Sequence, residues 1–308
     1  MSPKISVILP VYNCQPFLEE AVLSILNQDF TDFELIIIDD GSNDKSREII
    51  RNFAKKDNRI IMKHHKKNKG LIATLNEGLQ LAKSKIIARM DGDDVAYMDR
   101  FSKQYQFLKS NPEIVVVGSW VEVINDQNKI SNLWRLPVSV QLLKWRNLLK
   151  CPLLHPTVMF RKKEILALGG YDNSAIYFED HHLWSRVMQK HAIANIPEYL
   201  LQYRIHNNSI SKKYTRLQKE GVCHLLVKNI NRYCDLTLDD VVLLKQAPTF
   251  TNYTQRRKII NEIYDSFVSQ EILTNEQKKE IKKSLQGYSF SNHFVTALRN
   301  SLKDRSLS

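Results

Sequence analysis

Asp91-Gly92-Asp93-Asp94 sets three carboxylates within four residues, a concentration of negative charge that repels itself unless a cation lies close by. Mg2+ and Mn2+ take oxygen ligands, commonly one or two carboxylates plus phosphate oxygens of a substrate, so the quartet suggests a metal-bound diphosphate. The plainer reading is a turn whose aspartates cap a following helix. An EF-hand loop is disfavoured, because its spaced ligands and closing Glu are missing. Asp39-Asp40-Gly41-Ser42 is by itself a common turn signal. Beside Tyr12 it gains meaning: a ring that stacks on a base and a carboxylate that accepts from a pyrimidine N3–H make a nucleotide pocket. Glu179-Asp180 follows Tyr177-Phe178, and an aspartate among aromatic and apolar neighbours suits a general base, since partial desolvation raises its proton affinity. It suits a helix N-cap equally well. The adjacent His181-His182 lack the H-E-x-x-H spacing of a zinc site. His155-Pro156-Thr157 opens another strand-like run, Val158 to Phe160. Tyr203-Arg204-x-His206-x-x-Ser209-x-Ser211 supplies groups of the kind that bind phosphate, and an Arg and a Ser there could neutralise a leaving diphosphate.

These residues need elements to hold them. Ile5 to Leu9 is a β-branched run that Pro10 is expected to stop, and Pro16 opens a helical stripe of Phe17, Leu18, Ala21, Val22, Ile25 and Leu26. Glu34 to Ile38 does not alternate and reads as a strand buried on both faces. Asp44 is a plausible N-cap for the next helix, with Ile49, Ile50 and Phe53 on one face. Arg59 to Met62 and Ile86 to Ala88 are further strands, separated by the stripe Leu71, Leu75, Leu79 and Ala82. Four β/α alternations in about ninety residues predict a parallel sheet covered by helices, with ligands outside the carboxyl ends of its strands. The acidic and aromatic residues fall at those ends. From about residue 114 a buried strand, Ile114 to Val117, leads into a less regular stretch where mixed strand directions are expected. Beyond about 212 the signals are helical, as in Ile259, Ile260, Ile263 and Phe267.

The chain has 308 residues, 43% hydrophobic and 25% charged, which is ordinary for a globular protein. Cys14, Cys151, Cys223 and Cys234 form no C-x-x-C pair, against zinc-knuckle and thioredoxin-type readings and in favour of a reducing compartment. The amino terminus lacks a signal-peptide core, and no apolar run approaches the ~20 residues that span a bilayer. A cytoplasmic protein is expected. The net charge of +12 is concentrated late: residues 212–308 hold 17 Lys and Arg against 10 acidic residues. Such a surface attracts any polyanion, including anionic lipid headgroups, so peripheral contact with the inner membrane face is compatible with it, as is a simple solvated basic face. Aromatics interleaved with Lys and Arg in a nucleic-acid-binding motif are absent, and no nucleic-acid partner is expected.

Taken together, V-I-L-P-V-Y-N, I-D-D-G-S, N-K-G then L-N-E-G, A-R-M-D-G-D-D, G-G-Y-D, F-E-D and Y-R-x-H-x-x-S-x-S closely resemble the family-2 inverting glycosyltransferases of GT-A fold, over roughly residues 4–211. Several individually weak motifs occur in the family's order at compatible spacings. The resemblance implies an α/β, GT-A, mostly parallel sheet flanked by helices over 1–215, with a nucleotide-binding half to about 113 and an acceptor half from 114. A basic helical extension, read from composition alone, covers 216–308. It further implies a UDP-sugar donor, a glycan or lipid-linked glycan acceptor of bacterial surface-polysaccharide type, and Mn2+ or Mg2+ as cofactor. Pro10, Val11, Tyr12 and Asp40 would line the uracil and ribose pocket, with Asn68 and Gly70 in a loop near the nucleotide and Arg89 contacting the donor. Asp91, Gly92 and Asp93 resemble the D-x-D motif that holds ribose and metal, Asp94 leaving the ligand ambiguous. Gly170 and Asp172 resemble the sugar-binding turn, Glu179 and Arg204 join the donor-binding residues, Asp180 looks like the catalytic base, and His206 resembles a histidine that reaches the metal or phosphates. One displacement, with Asp180 taking the acceptor proton, means inversion.

Two other readings compete. A nucleotidyltransferase also joins an α/β nucleotide fold to metal-bound aspartates, but would bring a Gly-rich basic loop after the first strand, where this chain has Tyr-Asn-Cys-Gln-Pro. A non-catalytic polyanion-binding protein would draw on the basic charge alone.

Overall fold

A computed structural model describes residues 2–206, 215–247, 249 and 251–289, excepting the side chains of 215–217 and 286–289. The unalternating runs form β1 (Ile5–Val11) and β2 (Phe33–Asp39), buried at every position. They pair in parallel, Ile5 opposite Phe33 through Val11 opposite Asp39. β3 (Ile60–His64) adds in parallel beyond β2, and β4 (Ile86–Arg89) in parallel beyond β1. The connections are α1 (Gln15–Leu26), α2 (Ser46–Ala54) and α3 (Leu71–Leu81). Alternate residues of β1 feed two apolar layers. Val7 and Leu9 pack with Leu18, Val22 and Ile25 of α1, whereas Ile8 packs with Leu75 and Leu79 of α3. The sheet is therefore covered on both faces, as βαβ crossovers require.

Pro10 does not stop β1, which runs on to Val11. The register explains why. Met90 N–H donates to Ile8 O, so alternate peptide groups of β1, including that of Pro10, point toward β4. The last β1–β4 pair is Ile8 with Arg89; Pro10 lies beyond it, where no ladder bond is lost by the missing N–H. Asp44 also differs from expectation, since α2 begins after Lys45. The Asp44 carboxylate instead accepts from Ser46 N–H at 2.9 Å and Gln15 N–H at 3.0 Å, linking the starts of α2 and α1.

Strand directions mix in the second half. β5 (Val95–Ala96), β6 (Ile114–Ile124), β7 (Ile130–Trp134), β8 (Met159–Arg161) and β9 (Ala192–Arg204) complete the sheet in the order β3-β2-β1-β4-β8-β6-β9-β5, with β7 paired to β6. β8 is antiparallel to β4 and β6, while β6 and β9 are parallel. α4 (Arg100–Ser110), α5 (Val140–Asn147), α6 (Lys162–Ala167) and α7 (Glu179–Val187) lie between them in sequence.

The chain divides into two compact units, Met1–Leu143 with Lys150–Gln218, and Lys144–Leu149 with the chain from Lys219 onward. The second holds most of α8 (Thr215–Ile230), then α9 (Leu238–Lys245), α10 (Tyr253–Gln270) and α11 (Asn275–Ser289). Ile259, Ile260, Ile263 and Phe267 of α10 are buried. Trp145, near the end of α5, packs its ring 5.4 Å from that of Phe267 and donates to Ser284 Oγ at 2.9 Å, which places residues 144–149 with these helices. Among the described residues, no helix is long and apolar enough to cross a membrane.

Candidate active site

Because β1, β2 and β4 run side by side in parallel, Tyr12, Asp39-Asp40 and the 89–94 segment emerge at one edge of the sheet. Tyr12 is 46% exposed there. The next residue, Asn13, has φ 53°, and exchanges hydrogen bonds with the Asp-Gly turn: Asn13 N–H donates to Ser42 Oγ at 3.0 Å, and Asn43 N–H to Asn13 Oδ1 at 2.8 Å. Gly41 has φ 76° and a Cβ there would sit 2.8 Å from Asn68 N, so only glycine allows the 67–68 loop to close over this turn. Both aspartates of the turn are buried. Asp39 accepts from Ser42 N–H at 3.0 Å and lies 2.8 Å from His64 Nδ1. Asp40 accepts from the N–H groups of Lys69 and Gly70 at 2.8 and 2.9 Å and from His65 Nδ1 at 2.6 Å. Asn68 Oδ1 also accepts from Gly70 N–H, at 3.0 Å.

β4 ends in buried Arg89, whose guanidinium grips both Asp91 oxygens at 2.7 and 2.5 Å. Gly92 lets the chain pass close to the start of α1, since a Cβ there would lie 3.2 Å from Cys14 Sγ. Asp93 Oδ2 is 2.9 Å from His206 Nε2. Asp94 is fully buried: Oδ1 accepts from Arg204 N–H at 2.8 Å, and Oδ2 has no partner among the described residues. Ligand oxygens of Asp91, Asp93 and Asp94 lie within 4.8 Å of one another. Burial, reinforced by the charges of Asp93 and Asp91, pushes the Asp94 carboxyl well above the usual range. Asp91 is raised too, mainly by burial, with Arg89 pulling the other way.

Asp180 stands in the first turn of α7, whose N-cap is Phe178, so it is not the cap residue. Its Oδ1 accepts from His181 N–H at 2.7 Å and its Oδ2 lies 3.5 Å from the Cys151 thiol, which also reaches Leu153 O at 3.1 Å. Burial raises its proton affinity, opposed by Arg89 among other groups. Glu179 is pushed up to about 7 by burial and then by the Asp180 charge. Beside it, His155 Nδ1 lies 3.8 Å from Glu179 Oε1 and His155 Nε2 is 2.8 Å from the Tyr171 hydroxyl. Burial, with Arg89 nearby, holds His155 well below the ordinary histidine range, so the ring is neutral. Tyr171 is placed by the Gly169-Gly170 turn. Gly170 has φ 71° and no room for a Cβ, which would meet Asn76 Oδ1 at 2.7 Å. Asn76 of α3 brackets Tyr171 through its N–H and C=O at 3.0 and 2.9 Å.

The structure gathers Arg89, Asp91, Gly92, Asp93, Asp94 and His206 at the end of β4, and the charges of Glu179 and Asp180 act on Arg89 and Asp91 respectively. One expectation changes. Arg204 is not available for a diphosphate. It is buried, with Nε donating to Asp93 O at 2.7 Å, Nη1 to Asn125 O at 3.0 Å and to Asn128 Oδ1, and Nη2 to Glu20 Oε2 at 2.8 Å, so it braces the acidic segment from behind. Asp172 Oδ1 accepts from the Ser174 N–H and hydroxyl at 2.8 and 2.7 Å. Ser209 and Ser211 lie outside the described residues. Sequence reasoning overlooked His65, Cys151 and Tyr171, whose partners are distant in the chain and carry no spacing signal, and Arg100, a buried arginine whose Nη2 donates to Arg89 O at 2.7 Å.

Comparison with known proteins bears on the family and the fold. The O-antigen biosynthesis glycosyltransferase WbnJ of Escherichia coli is 34% identical over 68% of this chain and 82% of its own length. Among solved structures, Staphylococcus aureus TarS 1–349 in complex with UDP-GlcNAc superposes with TM-score 0.61 at 17% identity, covering 86% of this chain and 81% of that one. The mannosyltransferase PcManGT of Pyrobaculum calidifontis, in complex with GDP-Man and Mn2+, gives 0.58 at 14% identity over 100% of this chain and 81% of that one. At such identities the structural likeness concerns the fold, which is GT-A. Residues 6–169, more than half of the chain, match the family described as glycosyl transferase family 2, and the chain is therefore a glycosyltransferase belonging to that family.

Proposed function

We propose that this enzyme moves a sugar from a UDP-sugar to an acceptor hydroxyl with inversion, in the assembly of a cell-surface polysaccharide or glycolipid. The observation that carries the reading is the convergence of the Asp91, Asp93 and Asp94 carboxylates within 4.8 Å at the end of β4. A divalent cation fits them: the donors are hard oxygens, burial followed by the neighbouring carboxylate charges raises the proton affinities of Asp91 and Asp94, and Asp94 Oδ2 is buried without a partner among the described residues. Asp91 already has both oxygens on Arg89, which leaves Asp93, the open Asp94 Oδ2 and the neighbouring His206 as the groups that would hold Mn2+ or Mg2+. Bound there, the ion would supply positive charge to the departing diphosphate. Two neighbours of the same fold support the donor class and the ion, one bound to UDP-GlcNAc and the other to GDP-Man and Mn2+. The O-antigen role of a relative supports the polysaccharide setting.

In this reading Tyr12 stacks on the base, Pro10 and Val11 form the floor beneath it, and Asn68 and Gly70 border it. Asp180, oriented through the His181 N–H, accepts the hydroxyl proton as the acceptor oxygen bonds to the anomeric carbon. The bond from that carbon to the diphosphate oxygen breaks in the same displacement, which inverts the centre. Arg89 supplies a fixed positive charge between the acidic segment and the base. The exposed Arg257, Lys258, Lys279, Lys282 and Lys283 of α10 and α11 would face anionic headgroups at the cytoplasmic side of a membrane. Sedimentation with anionic vesicles at low and physiological salt tests that contact, and failure to bind at either removes it.

The deciding experiment is UDP release from a panel of UDP-sugars with Mn2+, for wild type, Asp180→Asn and Asp93→Asn, with the product anomer read by NMR. Metal-dependent turnover, lost in Asp180→Asn while donor binding survives, and an inverted product are expected. A retained configuration, or full activity in Asp180→Asn, would overturn the mechanism.

A further inference from the structure

Asp40 stands at the nucleotide edge of the sheet, yet most of its hydrogen-bonding capacity is already in use. An ionised carboxylate has about four acceptor directions. Oδ1 receives His65 Nδ1 at 2.6 Å and Lys69 N–H at 2.8 Å, and Oδ2 receives Gly70 N–H at 2.9 Å. One direction, on Oδ2, stays open. The imidazole that fills the first position is itself buried, and its other nitrogen lies 2.7 Å from Glu77 Oε2 on α3. This contact holds the Glu77 carboxyl below its ordinary range. His65 thus joins the end of β2 to α3, and the 66–70 loop between them is closed down by Gly41 against Asn68.

We propose that His65 is a positioning residue for nucleobase recognition, fixing the Asp40 carboxylate so that its one open acceptor direction meets the imide N–H of a uracil. The proposal rests on the UDP-sugar reading above. Its physical content is selectivity. Uridine offers a donor at N3, whereas cytidine offers an acceptor there, so an immobile carboxylate rewards the first and repels the second. Without the imidazole, Asp40 keeps only its two amide partners and its side chain can rotate. Glu77 then loses its imidazole partner, and the loop carrying Asn68 loses its tie to α3. Discrimination between the bases falls because the acceptor no longer points in one direction.

Isothermal titration of UDP and CDP, with Mn2+ present, against the full chain carrying His65→Ala, Glu77→Gln or Asp40→Asn tests this. For His65→Ala, UDP affinity should fall about tenfold and CDP affinity much less, narrowing the ratio between them, and the donor KM should rise by a larger factor than kcat falls. Glu77→Gln keeps an acceptor for the imidazole, so its UDP to CDP ratio should stay near that of wild type. If His65→Ala does not fold, Glu77→Ala cuts the same link from its half-exposed end and should narrow the ratio in the same direction. A wild-type ratio in the variant that cuts the link, alongside a loss of UDP binding in Asp40→Asn, would overturn the positioning role alone. UDP binding untouched by Asp40→Asn would instead overturn the uracil pocket itself.

Discussion

The backbone N–H of Arg204 donates to Asp94 Oδ1 at 2.8 Å, joining residues 110 positions apart. Asp94 leaves β4 and Arg204 ends β9, so this bond sets the acidic segment against the far side of the sheet. The guanidinium of the same residue adds three anchors: the Asp93 carbonyl, the 125–128 turn and Glu20 of α1. The backbone of the acidic segment is therefore held in place by a buried arginine, while the Asp93 side chain itself meets His206.

Arg204→Ala should cost about 3 kcal/mol of stability, because it leaves buried carbonyl oxygens unpaired as well as removing an ion pair. Urea denaturation at fixed m-value measures it. Arg204→Lys should recover little, since an ammonium cannot fork to several acceptors. A loss under about 0.5 kcal/mol for the alanine variant would show that the network is redundant.

Asp93→Asn should weaken Mn2+ binding at least about tenfold, as followed by the Mn2+ paramagnetic resonance signal. His206→Ala should act in the same direction. Asp91→Asn should do less, because Arg89 occupies both Asp91 oxygens. Equal losses for Asp91→Asn and Asp93→Asn would mean that Arg89 releases Asp91 to the ion.

Glu179 is raised from 4.5 to about 7 by burial and by its neighbour Asp180. The folded state holds this proton more tightly than the unfolded chain, so the associated stability is fully present below about 4.5 and lost as pH rises through about 7. Glu179→Gln stays neutral throughout. The wild type should therefore lose stability relative to Glu179→Gln between pH 5 and pH 8, by on the order of 1–3 kcal/mol, and calorimetric melting across that window reads the difference. Parallel pH curves for the two proteins would show that Glu179 ionises in the folded state as it does in water.

Cys151 can hand its single proton to Asp180 Oδ2 or to Leu153 O. When Asp180 is charged, the carboxylate is the stronger acceptor. Cys151→Ala should raise the acid limb of the kcat–pH profile and lower kcat about tenfold, while Cys151→Ser should keep the wild-type limb. Equal damage from both substitutions would assign the cysteine to packing.

β1, β2 and β4 could be read from the sequence because each is a short apolar run buried at nearly every position, whereas the half-buried β3 showed itself only through Ile60, Ile61 and Met62, and the polar residues that follow the strands mark where the sheet presents its site. α4 was not readable. Its buried face carries Arg100 and Gln104 beside Phe101 and Leu108, so polar groups that hydrogen-bond inside the fold erase the apolar stripe that signals a helix. β9 was missed for a related reason: Pro197, Glu198 and Gln202 interrupt it, and its thirteen residues depend on β6 for their pairing, which local sequence does not reveal. At the site, the types of the acidic residues were legible, but their partners were not. That Arg204 faces inward and Asp40 is occupied follows from contacts made by residues 25 to 184 positions away.

Asn128 sits at φ 61° in the β6–β7 turn, accepts from Arg204 Nη1 and donates to Glu20 Oε1 at 3.0 Å. Hairpin tips are usually the first segments exchanged when chimaeras are built between relatives, on the assumption that they are independent of the chemistry. Here the tip is coupled to the acidic segment through one shared arginine. A graft of residues 125–129 into this chain will need an asparagine at the left-handed position and compatible groups at positions 20 and 204, so these three sites form one exchangeable cassette.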